Sequence, residues 1–154
     1  MAKTFMAIGG HVGDMELTAG CVLAHQAVHQ NKIITVALTA GERGNPKNMS
    51  QEDYRVQKVK EAQEFAEMLN GEAIVLDYRD GELPDNEEVR WQVAALIRKY
   101  RPDVIFTHWE KSMHKESLEQ TSRDCLVLPS LLGEALGDMA ALGLAMSSNL
   151  DQEQ

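Results

Sequence analysis

Four short β-type runs, separated by amphipathic stretches long enough for crossover helices, constrain this chain more than any other feature. The clearest run is KIITVALTA, Lys32 to Ala40, which is β-branched and almost continuously apolar, the pattern of a strand buried on both faces. TFMAIG (Thr4 to Gly9), AIVLDY within Glu72 to Tyr78, and DVIFTHW (Asp103 to Trp109) repeat the signal. Between them, Asp14 to Gln30 carries Met15, Leu17, Val22, Leu23 and Ala27 at helical spacing, with Asp14 as a candidate N-cap. Ser50 to Leu69 reads as a second helix, opened by Ser50 with Asp53 three residues on and closed at Asn70-Gly71. Asn86 to Tyr100 is a third, stopped by Pro102. Parallel neighbours need crossovers of about a dozen residues or more, and each connection here is that long. The pattern predicts an α/β fold: a Rossmann-like three-layer sandwich with a mainly parallel sheet covered on both faces.

Composition narrows the function classes. A chain of 154 residues with 44% hydrophobic and 25% charged residues supports one globular domain with a real core. No apolar run approaches the ~20 residues of a membrane span, and MAKTFMAIGG is too short in its apolar part for a signal peptide. Cys21 and Cys125 are the two cysteines, too few for a disulfide framework, so a reducing cytoplasm is expected. The net charge of -9 argues against nucleic acid, whose phosphates need a basic face.

In parallel α/β sheets ligands gather at the carboxyl ends of the strands. The loops at that edge are GGHVGD, AGERGN, YRDGELPD and THWEKSMHKES, and His11, His108 and His114 fall in two of them. His11 and Asp14 have donor types suited to zinc, but a catalytic zinc usually takes three protein ligands plus water. His108, His114 and Glu116 are the candidates for the missing donor. Read from spacing alone, three alternatives stay open for this first loop. It is a metal loop, an anion cradle built on Gly9, Gly10 and Gly13, or a glycine-rich turn in which Asp14 caps the helix. The dinucleotide fingerprint would need glycine where Ile8 stands. Glu42 and Arg43 just past the second strand, and Arg55 on the next helix, are candidate ligand contacts. Asp80-Gly81 is turn chemistry, with Asp80 a further candidate support for the site. His25 and His29, spaced i, i+4, are expected to face solvent towards the opposite edge. Cys21, Met6, Met15 and Met68 are expected in the core. Beyond Glu116, a helix over about Ser130 to Met146 is weakened by three glycines.

Taken in order, GGHVGDMEL, LTAGERG, Tyr54-Arg55 through Glu61-Ala62, RDGEL and RPDVIFTHWEKSMHKES resemble the PIG-L/LmbE family of zinc-dependent de-N-acetylases. The resemblance runs from about Lys3 to Glu116. It implies an LmbE-like domain over 1–117, with 118–154 a divergent helical tail of the same domain. It also implies Zn2+ as cofactor, held by His11 and Asp14, and an N-acetylglucosamine-type conjugate as substrate. His114 then matches the charge-stabilising His or general acid, Glu116 its supporting acid, and Arg55 a substrate-contacting Arg beside Glu42. Two family positions differ. Gly13 stands where the family has the Asp general base, and Ser117 replaces the third zinc ligand. A small amino-sugar conjugate is the expected partner, and a homo-oligomer is compatible with the chain. The match stops within one motif, so a truncated or frameshifted tail is expected. A non-catalytic sugar- or metal-binding relative and an anion- or nucleotide-binding Rossmann-like module remain the alternatives.

Overall fold

The apolar runs become strands and the amphipathic stretches helices, in the predicted order. The structure, a computed structural model, describes residues 1–108. His114, Glu116, Ser117 and the expected helical tail lie outside the described residues. The elements are β1 (Thr4–His11), α1 (Asp14–Val28), β2 (Lys32–Thr39), α2 (Gln51–Met68), β3 (Glu72–Tyr78), α3 (Glu87–Tyr100) and β4 (Val104–Thr107). A single 3-10 turn, Glu42–Gly44, follows β2. The described strands form one parallel sheet in the order β3-β2-β1-β4.

Alternation along β1 divides the core. Met6 and Ile8 face α3, packing with Ile34, Val36, Leu38, Val89, Val93 and Ile97. Phe5 and Ala7 face the other layer, with Met15, Ala19 and Leu23 of α1, Ile33, and Phe106 of β4. The sheet is thus covered on both faces, which is why its two central strands read as apolar runs rather than as alternating ones.

Helix ends follow the expected chemistry at two places. The Ser50 hydroxyl accepts the Asp53 N–H at 3.0 Å, and Asn86 Oδ1 accepts the Val89 N–H at 3.1 Å. The first helix departs from expectation. Gly13, not Asp14, is its N-cap, and Asp14 is its first residue. Cys21 and Met68 are exposed rather than core residues, Met68 to 74%. Both sit on helix faces turned away from the sheet, where periodicity alone could not separate an apolar surface residue from a core one. Leu17 and Val22 of α1 are also exposed, and Met15, Ala19 and Leu23 supply its buried face. Met6 and Met15 are buried, and His25 and His29 are exposed, as expected. Among the described residues no helix is long and apolar enough to cross a membrane.

Candidate metal centre at the sheet edge

The strand order fixes where the site forms. From β1 the chain steps to β2 and then β3 on one side, and returns through α3 to place β4 on the other side of β1. The carboxyl edge between β1 and β4 is therefore the point at which the strand order reverses, the crevice in which open parallel sheets bind ligands. His11 ends β1, Asp14 starts α1, and His108 follows β4. All three candidate donors stand at this reversal.

Two glycines let strand and helix meet so tightly. Gly13 has φ 109° and ψ -27°, a left-handed conformation that turns the chain from β1 into α1. Its N–H donates to Glu16 Oε2 at 2.9 Å, so Glu16 caps the turn. At Gly9 a Cβ would lie 2.9 Å from the Asp14 Cβ and 3.3 Å from Met15 Cγ. The bare backbone there lets the first turn of α1 fold back on β1. Gly9→Ala is expected to push that turn outward and to cost about 1–3 kcal/mol of stability, the usual penalty of overpacking. Chemical denaturation of the two proteins measures it, and unchanged stability would rule out this close approach.

His11 is held between two carboxylates. Its Nε2 lies 3.1 Å from Asp80 Oδ1, and its Nδ1 lies 3.4 Å from Asp14 Oδ2. An ionised carboxylate only accepts, so the bond to Asp80 places the proton on Nε2 and, in the neutral ring, the lone pair on Nδ1. Asp14 Oδ2 also accepts the His11 backbone N–H at 2.8 Å and meets His108 Nε2 at 2.9 Å. Burial opposes the ionisation of Asp14, but the His108 hydrogen bond, the hydrogen bond that His11 adds when its Nδ1 is also protonated, and the charge of both rings in that form outweigh it and hold its pKa well below the ordinary carboxylate range. Asp80 follows the same logic. Burial raises its pKa, and the His11 hydrogen bond and charge, together with the Arg43 N–H and charge, bring it below the usual value.

Asp80 is itself tied down. It is 2% exposed, and its Oδ2 accepts the Arg43 N–H at 3.0 Å. The Asp80 N–H donates to Glu42 Oε1 at 2.9 Å. Glu42 is buried, and its Oε2 faces Arg55 Nη1 at 3.4 Å. Arg55 also donates to the carbonyls of Leu76 and Tyr78 and to Asp77 Oδ1, at 3.3, 3.3 and 2.7 Å. A polar chain thus runs from α2 through the loops after β2 and β3 to the imidazole of His11. The structure brings Glu42 and Arg55 to the expected edge and joins them to the site through Asp80.

The donor set fits half of a zinc site. Zinc bonds to nitrogen and oxygen are ~2.0–2.2 Å, so two ligands at a tetrahedral angle stand about 3.3–3.6 Å apart. The separation of His11 Nδ1 and Asp14 Oδ2 matches that spacing. A metal-ligating His normally gives its other N–H to a carboxylate, the part Asp80 plays here. No group of three or more His, Cys, Asp or Glu side chains arranged to hold a metal is found among the described residues. From the sequence, Asp80 could be placed only as a turn residue or a support. Its bond to His11 spans 69 positions, and the available signal is that both residues stand at the carboxyl end of a strand of one parallel sheet, His11 as the last residue of β1 and Asp80 in the loop just after β3.

Comparisons with known proteins identify the family and the fold. Residues 6–117 match the PIG-L family, described as GlcNAc-PI de-N-acetylase. A diacetylchitobiose deacetylase from Thermococcus kodakarensis is 28% identical over 105 residues, which cover 67% of this chain and 39% of that protein. The solved structure of N,N'-diacetylchitobiose deacetylase from Pyrococcus horikoshii superposes with a TM-score of 0.77 at 26% identity, over 88% of this chain and 49% of that one. GalB, a 4-carboxy-2-hydroxymuconate hydratase from Pseudomonas putida, reaches a TM-score of 0.74 at 22% identity, over 86% and 55%. The chain thus spans about half the length or less of the two deacetylases. The hydratase has the same fold, so the fold alone does not fix the reaction.

Proposed function

The chain belongs to the PIG-L family of de-N-acetylases, and from that premise we propose that it is a zinc-dependent hydrolase that removes the acetyl group from an N-acetylglucosamine-type conjugate, with turnover reduced by the glycine at position 13. The observation that carries this reading is the clamping of His11 between Asp14 and Asp80 at the sheet reversal. Zinc bound there would polarise the amide carbonyl and acidify a water molecule. The protein's part is to hold the donors ready. Asp80 fixes the His11 ring and its tautomer, and Asp14 presents a carboxylate held ionised. Through the Asp80 N–H, Glu42 anchors the loop after β3, and Arg55 balances the buried Glu42 charge. The Arg55 side chain keeps 18% exposure, which leaves room for the substrate contact that the family resemblance implies. In this proposal His114 and Glu116 supply charge stabilisation and support for the oxyanion, and residues 1–117 form the domain that carries the site.

The deacetylase names of two relatives at 26–28% identity support the amino-sugar class. The test is direct: measure the zinc content of the purified full chain, and acetate release from N,N'-diacetylchitobiose with and without added zinc. Stoichiometric zinc and slow, zinc-dependent acetate release are expected. A chain that takes up no zinc would favour the anion-binding alternative. A zinc-loaded chain that binds the sugar without releasing acetate would favour the non-catalytic relative.

A further inference from the structure

We propose that His108 is a positioning residue for Asp14, pinning the carboxylate from β4 as Asp80 pins His11 from the loop after β3. This inference rests on the zinc reading above and names a residue to which the family resemblance gives no part. In the parallel register Ile8 faces Thr107, so His108, the residue after β4, arrives beside the Gly9-Gly10 backbone. His108 Nε2 lies 2.9 Å from Asp14 Oδ2 and donates to it, because a carboxylate only accepts, and the Gly10 N–H, 3.3 Å from the same nitrogen, is then a neighbour and not a donor to it. That oxygen is held on its other side by the His11 N–H at 2.8 Å. The carboxylate is thus trapped between the end of β1 and the end of β4, with 22% of the Asp14 side chain and 16% of the His108 side chain exposed.

The shorter contact identifies the role. At 2.9 Å the His108–Asp14 separation is a hydrogen-bond length, whereas at 3.4 Å His11 Nδ1 and Asp14 Oδ2 stand at the spacing of two ligands on one zinc. His108 Nε2 is therefore engaged by the carboxylate itself, and no three-donor metal group is found among the described residues. Each expected ligand is then held by an outer partner: His11 by Asp80 and Asp14 by His108. Such partners typically contribute 10–100-fold to metal affinity. The arrangement also couples β4 to β1 across the crevice, so that the site depends on both sides of the sheet reversal.

The test compares the full chain with His108→Ala and His108→Gln, reading Zn2+ affinity by competition with a chromophoric chelator and the visible spectrum of the Co2+-loaded protein. The alanine variant is expected to lose 10–100-fold in Zn2+ affinity. The glutamine variant, whose amide can still donate to Asp14, is expected to recover most of that loss with the wild-type Co2+ spectrum. If the alanine variant does not fold, His108→Asn, with a shorter reach, takes its place and is expected to show the same loss. Wild-type affinity in a folded alanine or asparagine variant overturns the proposal. So does a glutamine variant that stays weak and has shifted Co2+ bands, because His108 would then be a ligand. Absence of Zn2+ and Co2+ binding by the wild-type chain overturns the zinc reading and this inference together, an outcome separate from either variant result.

Discussion

Gly13→Asp is expected to raise zinc-dependent acetate release by about 10²–10⁴-fold, the usual worth of a well-placed general base. The position lies between the two candidate ligands His11 and Asp14, and the family resemblance puts the Asp base there. Among the described residues nothing lies within 4 Å of a Cβ built at Gly13, which leaves space for the side chain. The opposing term is backbone strain. A φ of 109° is costly for any residue with a side chain, about 1–3 kcal/mol, although Asp and Asn tolerate positive φ better than most. The Glu16 bond to the residue 13 N–H does not depend on the side chain there and continues to anchor the turn. A loss of that size leaves a domain of ordinary stability, about 5–15 kcal/mol, still almost fully folded, so it does not mask the gain in rate. The measurement is kcat/KM with zinc present, alongside a denaturation curve. Gly13→Asn is the control, because it carries the same strain and no base. No rate gain in a folded, zinc-loaded Gly13→Asp protein would show that proton abstraction is not what limits this chain.

The layer structure was legible because its physical cause is local. The sequence marks Glu72–Tyr78 end to end, and α1 and α2 begin within one residue of the starts that the sequence predicts. A strand buried on both faces has to be apolar throughout, and a crossover helix has to be amphipathic and long. Side-chain partnerships were less legible, because they are made across the sheet rather than along the chain. His11 reads as a loop residue in sequence, yet it pairs with Thr39 as the last residue of β1. That extra strand length turns its ring towards Asp80 rather than leaving it in solvent. Asp14 has the sequence signature of an N-cap, but the glycine before it takes the left-handed turn. The carboxylate is thereby released to bond back to His11. Cys21 and Met68 mislead for the complementary reason: an apolar side chain on a helix does not say which layer, if any, covers it.

His11→Ala is expected to reduce the zinc content to background and abolish zinc-dependent acetate release, and the same change should destabilise the fold. The second effect follows from Asp80. Its carboxylate is 2% exposed, and without the imidazole its Oδ1 loses the bond recorded at 3.1 Å, leaving the Arg43 N–H on the other oxygen. Removing the donor to a buried carboxylate costs about 1–3 kcal/mol, because the acceptor keeps its desolvation and loses its bond. Zinc loss in the single variant could therefore reflect unfolding rather than a missing ligand, and the double variant His11→Ala/Asp80→Asn separates the two. Asparagine keeps an oxygen for the Arg43 N–H and removes the buried charge, so a substantial part of the stability should return. Zinc binding should not return, because the nitrogen donor is still absent. Asp80→Asn alone should keep the fold and lose 10–100-fold in zinc affinity, the worth of the outer carboxylate. Recovery of zinc binding in the double variant would remove His11 from the ligand set and with it the proposed hydrolase. Recovery of stability without zinc would assign the two effects to separate atoms of the same clamp: Nδ1 to the metal and Nε2 to the fold.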